Sequence, residues 1–104
     1  MPAAAKPLSE KQKKHLRGLA HGLRPVSHLG NAGITDAFLA ELETTLAHHE
    51  LIKLKVVASD RTQRDAAIQT LVERTGAILI ARIGNIAVLY RPGPGGPQLE
   101  LPDS

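Results

Sequence analysis

The sequence predicts an α/β sandwich built on a mixed sheet. Three observations lead there. Apolar residues recur with helical spacing in three segments and with strand spacing in four, in the order α-β-α-β-α-β-β. Helices between strands call for crossover connections, which build parallel pairs. The last two strands are separated only by Gly84-Asn85, which makes a hairpin and an antiparallel pair.

Each element has a local cause. Ser9 can cap a first helix, with Gln12 closing a capping box. Leu16, Leu19 and Leu23 mark its apolar stripe, and Gly22 and Pro25 end it. Residues 26–29 form a short strand, and Gly30-Asn31-Ala32-Gly33 forms a loop. Thr35 or Asp36 caps a second helix reaching His49, with Phe38, Leu39, Leu42 and Leu46 inward. Residues 51–57 alternate, so Ile52, Leu54 and Val56 share one face and Lys53, Lys55 and Val57 the other. Ser59 or Asp60 opens a third helix that turns Ile68, Leu71 and Val72 inward and ends at Gly76. Strands follow at 77–83 and 86–91, joined by a turn in which both residues tolerate positive φ. The expected organisation is a flexible segment at 1–7, one domain at 8–92 and a disordered tail at 93–104. Residues 92–104 hold four Pro and three Gly. Removing the tail is expected to leave stability unchanged.

Composition narrows the function. The 104 residues contain no cysteine, which removes disulfides, thiolate metal sites and cysteine nucleophiles and suits a reducing compartment. There is no apolar run of membrane-spanning length and no signal-peptide pattern, so a cytoplasmic protein is expected. The net charge of +3 is modest, but it is polarised. Residues 1–24 hold six cations against Glu10 alone, a charge of +5, and the rest carries −2. Such asymmetry points to a phosphate-rich partner.

Two features could meet phosphate. The Gly30-Asn31-Ala32-Gly33 loop spells GXXG ahead of a helix, and glycines there would let a backbone approach closely. A tight strand-to-helix turn would use the same residues. On the first helix Lys13, Arg17, His21 and Arg24 form a stripe that Lys11, Lys14 and His15 widen; a solvated helix face is the alternative. Lys53 and Lys55 form a second-rank group on the sheet. Catalytic patterns are missing: there is no Walker loop and no G-x-S-x-G. His48-His49-Glu50 has ligand-type residues, but neighbours on a helix point apart. No metal, cofactor, membrane or small-molecule substrate is expected. Aromatic stacking platforms are absent too, with Phe38 and Tyr90 the only rings of that kind. A KH module places its GXXG between two helices, whereas a strand precedes this one.

Five stretches together resemble a known family: SEKQKKHLRGLAH at 9–21, PVSHLGNAGIT at 25–35, HHELIKLK at 48–55, TGA at 75–77 and IGNIAVLYR at 83–91. They resemble the bacterial YhbY-like family, the stand-alone form of the CRM (chloroplast RNA splicing and ribosome maturation) domain. The resemblance implies a four-stranded mixed sheet with three helices, similar to the C-terminal domain of the third bacterial initiation factor. It also implies binding of ribosomal RNA in large-subunit precursors, as a ribosome assembly factor without catalytic activity. Gly30, Asn31, Ala32 and Gly33 match the family's loop. Asn85 stands where relatives often carry a basic residue, which shifts the expected phosphate contacts to Lys11, Lys13, Lys14, Arg17 and Arg24, with Lys53 and Lys55 in support. A monomer is expected. The alternative is a protein-interaction module on the ribosome or an assembly factor, using the sheet face without touching RNA.

Overall fold

The computed structural model describes residues 8–30, 33–58, 60–93, 95, 97 and 99–102. The elements are α1 (Glu10–Ala20), β1 (Pro25–Leu29), α2 (Asp36–His49), β2 (Leu51–Val56), α3 (Arg61–Thr75), β3 (Ile78–Ile83) and β4 (Ile86–Tyr90). The four strands form one mixed sheet in the order β1-β2-β4-β3. β1 and β2 are parallel, and β4 runs antiparallel to both β2 and β3. Register shifts interrupt β1 between Pro25 and Ser27 and β3 between Leu79 and Ala81.

The topology decides which face each helix covers. The crossovers β1-α2-β2 and β2-α3-β3 both step the same way across the sheet. Right-handed crossovers that step the same way lie on the same face. Accordingly Leu42 and Leu46 of α2 join Ile68 and Leu71 of α3 in one core with Leu29, Ile52, Leu54, Val56, Ala87 and Leu89. The other face is left to α1, whose Leu16 and Ala20 pack on Leu51, Ile80, Val88 and Tyr90.

The helix ends follow local chemistry. The Ser9 hydroxyl accepts from the Gln12 N–H at 3.1 Å, and the Gln12 side chain accepts from the Ser9 N–H at 3.0 Å. Thr35 and Asp60 cap α2 and α3 through the N–H groups of Phe38 and Gln63. Gly76 ends α3 in the left-handed region at φ 74°. In the hairpin turn Gly84 alone has positive φ, at 59°, so Asn85 does not need the left-handed freedom expected of it.

Two expectations fail here. The first is the apolar stripe of α1. Leu16 is fully buried, but Leu19 is 41% exposed and Ala20 takes the inward place. The helix stops three residues short of Leu23. The N–H groups of residues 21–23 donate three residues back, to Gly18, Leu19 and Ala20, which tightens the chain out of the α-helical path. The second is the disordered tail. Leu99 and Leu101 pack against the α1-side core with Leu8 and Ile78. The Gln12 amide donates to the Pro102 carbonyl at 3.0 Å, and the Leu99 N–H donates to the Glu50 carboxylate at 3.4 Å. A single eleven-residue helix cannot cover this face, and two leucines at the end of a Pro/Gly-rich segment finish the job. The segment 1–7 lies outside the described residues.

Around Glu50 the chain turns sharply from α2 into β2. Glu50 caps α2 at φ 55° and is 3% exposed. Its carbonyl accepts from the Arg91 N–H at 2.9 Å. The Arg91 guanidinium reaches the Glu43 carboxylate at 2.7 Å and the Thr75 carbonyl at 2.9 Å, tying β4 to α2 and α3. Nearby, the Tyr90 hydroxyl is buried without a hydrogen-bond partner among the described residues. Burial, and then the Glu50 carboxylate, push the Tyr90 phenol above its ordinary value of 10.0. The unfolded chain therefore gives up this proton first as pH rises. Stability present below pH 10 is lost as pH climbs towards the raised value. Tyr90→Phe should match or exceed the parent at neutral pH, by up to about 1 kcal/mol, because it deletes an unsatisfied polar atom. It should also flatten the alkaline decline. Urea titrations at neutral and alkaline pH check both.

Candidate nucleic-acid interface

The face that carries α1 divides into three rows of cross-strand neighbours. Leu51, Tyr90 and Ile78 are in register across β2, β4 and β3, and α1 covers them. Lys53, Val88 and Ala81 form the middle row. His28, Lys55, Ile86 and Ile83 form the third, across all four strands. This last row is open: His28 and Lys55 are exposed, and Ile83 is 60% exposed. From Leu51 to Lys55 the strand advances about 13 Å, so the open row and the α1-covered row sit at opposite ends of the sheet.

The open end is also where the GXXG loop lies. The Val57 N–H donates to the Leu29 carbonyl at 3.0 Å, and the Val56 N–H donates to the Asn85 carbonyl at 2.7 Å. These bonds tie the end of β1, the end of β2 and the β3–β4 hairpin side by side. Gly30 follows Leu29 directly. The Gly33 N–H donates to the Gly30 carbonyl at 3.1 Å, which holds the two glycines of the motif together. Both readings of the motif therefore meet in one structure. Gly33 has φ 76°, a turn requirement, and a Cβ added at Gly30 or Gly33 would meet no atom of the described residues within 4 Å. The backbone on that side is open to approach. Asn31 and Ala32 lie outside the described residues.

The basic helix is divided by its own geometry. At about 100° per residue, Lys13 and Arg17 share one flank of α1, while Lys11 and His15 fall on the other. Lys11, Lys14, His15, Gly18 and Leu19 line a shallow groove of about 460 Å³ with Pro102 of the tail. Lys13, half-buried, is 3.9 Å from the exposed Glu10, a surface pair of little energetic weight. Arg24 lies beyond the end of the helix, so it leaves the expected stripe, and His21 serves as the cap residue. The structure thus brings Gly30, Gly33 and Lys55 to one end and sets Lys11 and Lys14 beside the tail.

Sequence reasoning missed three arginines at the hairpin end. Arg61 and Arg82 share Asp65, at 3.8 and 3.1 Å. Arg64 instead donates to the Asn85 side chain at 2.9 Å. The signal for Arg61 and Arg64 was a pair of arginines in the first turn of a helix that starts at the loop end of a strand; Arg82, on β3, carried no such signal. The triplet His48-His49-Glu50 splits: both histidines are exposed with ring centroids 6.4 Å apart, and Glu50 is buried. Among the described residues, no helix is long and apolar enough to cross a membrane.

Comparison with known proteins agrees with this architecture. The model of the CRS1/YhbY (CRM) domain family matches residues 8–91. A Haemophilus influenzae protein named RNA-binding protein is 48% identical over 95 residues, covering 91% of this chain and 95% of that relative. The Bacillus subtilis protein YqeI, named a probable RNA-binding protein, is 34% identical over 95 residues, covering 91% of this chain and 99% of its own length. The solution structure of a Staphylococcus aureus protein, described as a candidate RNA binder, superposes with a TM-score of 0.78 at 34% identity, covering 92% of this chain and all of that one. With the same fold, and a family match spanning nearly every described residue, the chain belongs to the CRS1/YhbY (CRM) domain family.

Proposed function

We propose that this protein binds RNA at the loop end of its sheet, and that the RNA is ribosomal RNA in large-subunit precursors, met in the cytoplasm by a monomer acting in ribosome assembly. The observation that carries the reading is the meeting of an open glycine turn with the exposed row His28–Lys55 on the sheet surface that α1 leaves bare. Gly30 and Gly33 let a sugar–phosphate backbone approach, and Lys55 supplies charge beside it. Lys53 extends this charge towards α1, where Lys13 and Arg17 occupy the flank away from the tail. Such a surface reads backbone and shape rather than base edges. The relatives' names support RNA as the partner class. Asn31 and Ala32 belong to the same loop by sequence, and Lys11, Lys14 and Arg24 add long-range positive charge.

Gly30→Asp tests the reading. Gly30 has no positive φ and open space in front of it, so the variant should fold like the parent. Its carboxylate would face an approaching phosphate. A repulsion of about 1.4 kcal/mol, modest for charges near a protein surface, would weaken binding to protein-free large-subunit ribosomal RNA about tenfold. Parental affinity in the folded variant would leave the loop as a turn only. One observation favours a second reading, a protein partner: Ile83 and Val57 are apolar and exposed at the same end. Salt decides between them, because phosphate contacts make affinity fall steeply with salt and an apolar interface does not.

A further inference from the structure

We propose that Arg64, held by Asn85, is a phosphate-binding residue, forming with the hairpin a second contact point for the RNA backbone beside the GXXG turn. This inference rests on the RNA-binding reading above and deepens it.

Pairing sets Arg64 apart from the other arginines at this end. Arg61 and Arg82 both face the Asp65 carboxylate, and Arg91 at the opposite end faces Glu43. A phosphate would have to compete with those carboxylates. Arg64 makes no ion pair among the described residues. Its one side-chain bond there goes to the neutral amide oxygen of Asn85. Its Nε is buried without a partner. A guanidinium pays to lose water at Nε. Here it does so with no ion pair among the described residues, so no carboxylate offsets its delocalised positive charge.

The head group is also fixed in place. Asn85 is anchored by its own carbonyl, which accepts from the Val56 N–H at 2.7 Å. The Asn85 side chain then accepts from the Arg64 terminal nitrogen. A cation positioned before its ligand arrives loses less freedom on binding, and a planar guanidinium suits phosphate oxygens. Position matters as well. Val56 touches the hairpin on one side, and Val57 touches Leu29, next to Gly30, on the other. The hairpin and the glycine turn are thus two strand spacings apart, about 10 Å, within reach of one RNA backbone.

The test measures binding of protein-free large-subunit ribosomal RNA over a range of salt, with circular dichroism melts alongside. Arg64→Gln should lower the magnitude of the log–log salt slope by about 0.7–0.9, so that each decade of salt costs the variant about fivefold to eightfold less affinity than it costs the parent. Asn85→Ala keeps the cation but frees it, so affinity should fall about twofold to threefold with the slope retained. Arg74→Gln, in the last turn of α3, should leave both unchanged. The inference is overturned if Arg64→Gln keeps the parental slope, or if Arg74→Gln lowers it equally, while Gly30→Asp still weakens binding. If the parent itself does not bind, the RNA reading falls and this inference with it; if Gly30→Asp binds like the parent, the glycine turn is no contact and the inference of a second contact beside it is overturned.

Discussion

Leu54→Ala should cost about 3–5 kcal/mol, the upper part of the range for a buried leucine. Leu54 is fully buried at the centre of β2, facing α2 and α3. Its cross-strand neighbours on that face are Ser27 and Ala87, both small. Neither can swing into the space left behind, so the cavity stays open. The loss is a large part of a typical domain's stability of about 5–15 kcal/mol. Urea denaturation should show an earlier midpoint with an unchanged slope. A shift below about 1 kcal/mol would mean that the helices close over the gap.

Truncation after Gly93 should cost about 2 kcal/mol. Two half-buried leucines contribute somewhat over half of their full burial value of about 1.5–3 kcal/mol each, and the bonds to Gln12 and Glu50 add to this. The entropy of ordering the tail offsets part of the gain. The double variant Leu99→Ser, Leu101→Ser should reproduce most of the loss in a full-length chain. An unchanged midpoint in both would restore the free tail that composition suggests.

That tail shows where reading a sequence stops. Caps were legible because each is a local bond: Ser9 with Gln12, Thr35 with Phe38, Asp60 with Gln63. Gly76 was legible because the left-handed region favours glycine. The mixed sheet followed from connection lengths. The position of β4 between β2 and β3 did not, since it depends on pairing across the whole chain. Leu19 and Ala20 both fit a helical stripe, and only the sheet's shape prefers the smaller one. Leu99 and Leu101 were hidden by Pro and Gly around them, and the surface that needs them exists only after folding. At the site, the glycine turn and Lys55 were visible as motifs. Arg64 was not, because its partner is twenty-one residues away and gives no periodic signal.

The two interruptions in register have a bearing on crowding. β1 and β3 are the rims of the sheet, and a rim with free N–H and C=O groups can recruit another chain. One rim starts at Pro25, which has no N–H to give, and loses step by Ser27. The other loses step between Leu79 and Ala81, midway along its length. A stranger laid along either rim finds only two or three bonds in sequence before the spacing fails. Even with Leu79 and Ile83 in view of solvent, neither of these two described rims gives a second copy a straight seam along which a fibre could grow.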